Sequence, residues 1–333
     1  MHGDRGSRIL GIIAAATVLV VIVAGTVTVS RTLFSAEAFV GVYLDALERG
    51  DVAGALSMPG ASGPADSLPV VGAEGASGPA ALLVGQARTP LERISVTEVS
   101  ASSGIHIIEI AWRSASQTQT TLLRIAEEGM RGLIFPGWSF AEPPMSTVTI
   151  TAAGDPRVDV SGIRLDVPDT ATFLVAVPGR YVFGHSSPYL EAAPIAVVAD
   201  RVDASARVRV EPAPTALLID AVTAAGHDFL DACAAQAVLY PTGCPFGREI
   251  DEQVVGAPVW TITGHPELSF STRGQAFRAD GDGVASIHVR IRKIIDGSRR
   301  WVDDDIEFRL RLDVSISAAD DLVVIPDDRL SVL

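Results

Sequence analysis

"DIEFRLRLDVSI" (Asp305–Ile316) decides how the C-terminal third of the chain is built. Ile306, Phe308, Leu310, Leu312, Val314 and Ile316 point one way along an extended chain. Glu307, Arg309, Arg311, Asp313 and Ser315 point the other. A period of two belongs to a strand, and this alternation demands one buried face and one wet face. The run is the end of a longer strand expected over Arg300–Ser317. Upstream, strands are expected over Gln253–Thr263, Glu267–Arg273, Gln275–Ala279 and Val284–Ile295, with "ADGDG" (Ala279–Gly283) as a hairpin turn. His288 alternates with Arg290 and Arg292 on a wet face and receives no role.

Ahead of these strands, "TALLIDAVTAAGHDFLDACAAQA" places Ile219, Val222, Gly226, Phe229, Cys233 and Gln236 along one helical line. The first part of the chain has the same outline. In "SAEAFVGVYLDALERGD" (Ser35–Asp51), Phe39, Val42, Tyr43, Ala46 and Leu47 form an apolar stripe. Ser35 caps that helix, Gly50 ends it, and Asp51 caps a short second helix through Leu56. A loop rich in Gly, Ser and Pro follows, carrying Gly-Ala-Ser-Gly-Pro at 60–64 and again at 75–79. Four strands are then expected over Leu91–Ala101, Ile105–Ser114, Thr118–Ala126 and Gly132–Phe140. In the second, His106, Ile108, Ile110 and Trp112 share one face. From Ser146 to Glu211 there is no helical period, only short strands between turns, bounded by the proline-rich links Ala141–Met145 and Glu211–Thr215. The expected fold class is therefore α+β: a helix-plus-curved-sheet module at 35–140, a small all-β module at 146–211 and a second helix-plus-sheet module at 215–333.

Residues 9–30 contain no charge. As a helix they would be about 33 Å long, enough for a hydrocarbon core of about 30 Å. Arg5 and Arg8 precede them, so residues 1–8 are expected as a cytoplasmic tail, 9–30 as a transmembrane helix, and the bulk of the chain outside a cell membrane crossed once. The alternative is a cleaved signal peptide with its site at Val23-Ala24-Gly25. Both readings export the chain, and export bears on its two cysteines, Cys233 and Cys244. Outside the cytosol two thiols in one chain most simply pair, so a disulfide is expected, with free thiols or metal ligands as the alternatives. Two cysteines do not complete a four-ligand zinc site, and His227 is the one imidazole near them. No metal and no cofactor is expected.

The chain carries 40 acidic against 26 basic residues, a net charge of −14, and Lys293 is its one lysine. Such a surface repels phosphate backbones, which excludes nucleic acid from the expected partners. Among candidates for chemistry, His106 on the apolar sheet face with Trp112 is a weak pocket candidate, where a neutral imidazole would act as a base. Ser62 and Ser77 lack the glycine spacing of a nucleophile elbow. A calcium loop starting at Asp280 would put Val284 and Ile291 where acids are required. Asp303–Asp305 reads as a solvated turn or strand start, and His227 with Asp228 and Asp231 as a polar helix face. Walker, dinucleotide and HExxH motifs are absent from the sequence, no catalytic constellation is found, and an enzyme is not expected.

The helix, Gly-Asp turn and strand meander, carried by Phe39, Tyr43, Leu47, Gly50 and Asp51, resemble NTF2-like modules of bacterial envelope proteins. Leu230, Cys233, Pro241, Gly243, Cys244, Pro245, Phe246 and Trp260 resemble uncharacterised actinobacterial single-pass membrane proteins with a "CxxxxxxxPxGCPF" signature. The middle segment, with Val160-Ser161-Gly162 and Pro178-Gly179-Arg180-Tyr181, is similar to PEGA-like β-domains. These resemblances imply a membrane-anchored extracytoplasmic envelope protein of interaction or scaffold type. Its partners would be the membrane, through the N-terminal helix, and an envelope protein or cell-wall component. The alternative is an extracytoplasmic small-ligand binder or enzyme using an NTF2-like pocket around His106.

Overall fold

The computed structural model describes residues 34–62, 78–131, 135–274 and 276–327. Strand dominates: eighteen strands and three α-helices occur among the described residues, with 52% of those residues in strand and 15% in helix. This corrects the expected α+β class with NTF2-like modules. Each expected helix-plus-sheet module contributes one long helix, while most of the other described residues lie in strands. The single-pass cell-membrane placement is corrected as well. Among the described residues no helix is long and apolar enough to cross a membrane. The span expected at 9–30 and the tail at 1–8 lie outside the described residues.

Helix α1 (Ala36–Glu48) starts at Ser35, whose side chain accepts a hydrogen bond from the Ala38 amide at 3.1 Å. Asp51 does the same for α2 (Val52–Leu56), accepting from Gly54 at 2.8 Å. The buried face of α1 is Val40, Tyr43, Leu44 and Leu47; Val42, expected in the stripe, is exposed. It packs on a four-stranded antiparallel meander, β1 (Glu92–Ser102), β2 (Ile105–Ser114), β3 (Gln117–Arg131) and β4 (Phe135–Phe140).

The middle of the chain forms two sheets over a shared core. Strands β5 (Met145–Ala152), β8 (Thr170–Ala176) and β11 (Ser205–Val210) make one, with β11 parallel to β5. The other has the order β12-β10-β9-β6-β7, built from β6 (Arg157–Val160), β7 (Ile163–Asp166), β9 (Gly179–Ser186), β10 (Leu190–Ala199) and β12 (Ala213–Pro214). Two buried seams hold this middle unit to its neighbours. On one side Tyr43 donates a hydrogen bond to the Val177 carbonyl at 2.7 Å, and Thr89 donates its amide to Arg180 at 2.8 Å. On the other, Arg157 binds Asp155 and Asp320, each at 2.7 Å.

The last unit sets helix α3 (Ala216–Ala234) on a sheet whose spine is two long strands, β16 (Ala276–Arg292) and β17 (Arg299–Ile316). Leu218, Val222, Gly226, Leu230 and Cys233 form the buried face of α3, so the apolar line passes through Leu218 and Leu230, while Ile219 is exposed. Strands β13 (Gln253–Val254), β14 (Val259–Gly264) and β15 (Ser269–Arg273) all pair with β16, and β18 (Leu322–Pro326) pairs with β17. The "ADGDG" stretch is no turn. It runs through the middle of β16, opposite Leu312 to Phe308 of β17.

Candidate interaction surface

In the β16–β17 ladder, Ile287, Val289 and Ile291 face the core and are fully buried. By alternation, His288 and Arg290 face solvent, and the register sets Trp301 opposite Arg290 and Asp303 opposite His288. The Trp301 ring lies flat on His288, with centroids 4.3 Å apart and an interplanar angle of 16°. The Arg290 guanidinium sits 5.7 Å from the same ring, a cation–π distance. Asp303 in turn holds His288 through Nδ1. Despite these partners Trp301 stays 54% exposed, and Val259, the β14 neighbour of His288, is 57% exposed. This wet face of a rigid sheet therefore presents an indole already fixed in place beside an uncovered valine.

Past the last rung of the ladder the chain turns over four residues. Lys293 donates its amide to Ser298 at 2.9 Å, and Gly297 donates to the Lys293 carbonyl at 3.0 Å. Gly297 has φ +69°, a left-handed conformation that glycine adopts without strain. Asp296 Oδ1 accepts from both the amide and the hydroxyl of Ser298, which holds its carboxyl below the usual range. The geometry lifts Ile294 and Ile295 to the apex, 76% and 100% exposed. The sequence reading ends a strand at Ile295; the strand ends at Arg292. The signal missed was chemical: two β-branched residues directly before Asp-Gly, between Lys293 and the arginines on either side.

The other expected sites lie elsewhere. Cys233 and Cys244 are joined as a disulfide with Cα atoms 5.7 Å apart, in a core that includes Phe246 and Trp260. His106 Nδ1 is 2.9 Å from Glu98 Oε2, and its ring meets Trp138 edge-on at 4.8 Å. Trp112 is fully buried and donates its indole N–H to Thr121 at 3.0 Å. His106 and Trp112 share a strand face, yet six residues at about 3.3 Å each put them about 20 Å apart. They do not line one pocket. Asp280 is bound by Arg309, and Asp304 by Arg248 at 2.6 Å. Among the described residues no group of three His, Cys, Asp or Glu is placed to hold a metal. An open cleft of about 400 Å³ lies where Pro212 and Pro214 pass Phe270 and Phe277.

No known protein family, curated protein or solved structure matches the chain.

Proposed function

We propose that this chain is an extracytoplasmic, non-catalytic interaction protein whose C-terminal unit docks on an envelope partner. The observation that carries the reading is the wet face of β16–β17, where Trp301 is clamped by His288 and Arg290 yet left open to solvent. Rigid aromatic side chains flanked by arginine concentrate binding energy at interfaces, because little side-chain freedom remains to be lost on contact. The Cys233–Cys244 disulfide fits an oxidising compartment, since such bonds persist outside the cytosol. Buried seams on both sides of the middle unit suit a scaffold, which must hold surfaces at fixed separations.

The test is photo-crosslinking in intact cells from position 259, at the edge of the patch, in the full chain with and without Trp301→Ala. A defined set of envelope adducts should form, and Trp301→Ala should weaken their recovery by about tenfold or more, the typical cost of a central aromatic anchor. Recovery of the same adducts at the same level from the variant would remove the reading.

A further inference from the structure

Eleven residues, 290–300, hold Arg290, Arg292, Lys293, Arg299 and Arg300, against the single acid Asp296, in a chain of net charge −14. Among the described residues, Glu252 takes Arg300 at 3.2 Å. The only strong basic concentration on this hairpin thus surrounds its apex, and at the apex stand two isoleucines open to water. Turns favour Gly, Asn, Asp, Pro or Ser, and folding gains nothing from side chains that touch nothing. Ile294 and Ile295 are 76% and 100% exposed, so their burial contributes little to the fold and both are open to a surface outside it.

Size and charge decide what that is. Two isoleucine side chains offer on the order of 200 Å² of apolar surface, well below the roughly 600 Å² per partner at which specific protein interfaces begin. A lipid surface has no such threshold: a small apolar wedge sinks to the acyl boundary while cations beside it meet anionic headgroups. The vertical order matches. The isoleucines come first, then Lys293, Arg292 and Arg299, then Trp301 one step back, the residue type favoured at headgroup level. The acidic body would be repelled by the same surface, so only a tip-first approach is favourable.

We infer that the 293–298 hairpin tip inserts Ile294 and Ile295 into an anionic lipid surface, with Arg292, Lys293 and Arg299 on its headgroups. This rests on the docking reading above and names the component docked upon. It is independent of residues 9–30, so the test must report on the tip itself.

In the full chain, Ile295→Cys adds one thiol, because Cys233 and Cys244 are already paired. That thiol carries an environment-sensitive fluorophore, and the same label at Ser116, in the β2–β3 turn, is the control. Phosphatidylcholine vesicles containing phosphatidylglycerol should shift the emission of the label at 295 to the blue and raise it severalfold. High salt should reverse this, pure phosphatidylcholine should not produce it, and the label at Ser116 should stay unchanged. Arg292→Glu with Arg299→Glu should weaken the response by about tenfold or more, since each basic residue near such a surface contributes separately. A label at 295 that stays water-like on both vesicle types overturns the inference. So does one that responds only when an envelope protein fraction is added. If the label is silent while Trp301→Ala still abolishes the crosslinks, the docking reading stands and this inference alone falls.

Discussion

Arg88 and Arg157 are both buried arginines, and their surroundings treat them in opposite ways. Arg157 makes a two-pronged contact with Asp155 and reaches across to Asp320 and the Ala318 carbonyl. Hydrogen bonding to Asp155 drives its pKa up against the cost of burial. Arg88 lies near the hydroxyls of Tyr43 and Tyr181, its Nη1 has no hydrogen-bond partner among the described residues, and burial drives its pKa down. Arg157→Met should therefore cost about 3–5 kcal/mol, because it leaves the buried Asp155 side chain without its partner. Arg88→Met should leave stability unchanged or raise it, because it removes a desolvated charge and keeps the volume. Urea unfolding of the two variants checks this, and equal losses would contradict it. Neither arginine was legible in the sequence. Their roles depend on which loops meet at the seams, and hydrophobic periodicity carries no information about that.

Elements were more legible than the residues between them. The alternation in Asp305–Ile316 gave β17 its buried face, and Ser35 and Asp51 are the caps their positions imply. What failed was punctuation. Gly281 and Gly283 read as turn glycines, yet they lie in β16 because other groups occupy the space of a side chain there. A Cβ on Gly281 would stand 2.4 Å from the Glu267 carbonyl oxygen, and one on Gly283 would stand 2.6 Å from the Phe308 ring. In reverse, Ile294 and Ile295 have strand propensity and form a turn. The loop from α3 to Phe246 was legible through its cysteines, and its disulfide invites a direct check. Replacing Cys233 and Cys244 together by alanine should lower stability by about 2–4 kcal/mol, mainly by freeing the unfolded chain. Thermal unfolding with and without reductant reads the same quantity in the unmutated protein. A protein equally stable in both states would show that the clip constrains nothing.

At the scale of the whole molecule, the buried apolar residues gather in three core clusters, and strand rather than helix builds most of what surrounds them. The seam between the first two units has a pH signature of its own. Tyr43 and Tyr181 are fully buried, and burial pushes both phenols up, Tyr181 to about 12. In the unfolded chain they ionise near pH 10, so stability tied to their neutral form is complete below about pH 10 and lost as pH rises toward and beyond 12. Melting temperatures between about pH 9 and about pH 12 should fall steeply. The fall should be shallower for Tyr43→Phe with Tyr181→Phe, even though that variant starts lower for want of two buried hydroxyls and the hydrogen bonds they make. An unchanged slope would place alkaline sensitivity elsewhere.

β17 has a mechanical consequence. It is 18 residues long without interruption, about 60 Å at about 3.3 Å per residue. The turn bearing Ile295 lies just before its first residue, and the turn bearing Asp320 lies just after its last. One stiff lever arm thus joins the loop apex to the ion cluster at the middle unit. A partner that grips the apex would therefore bear on this arm, whose far end leads into the Asp320 turn bound by Arg157.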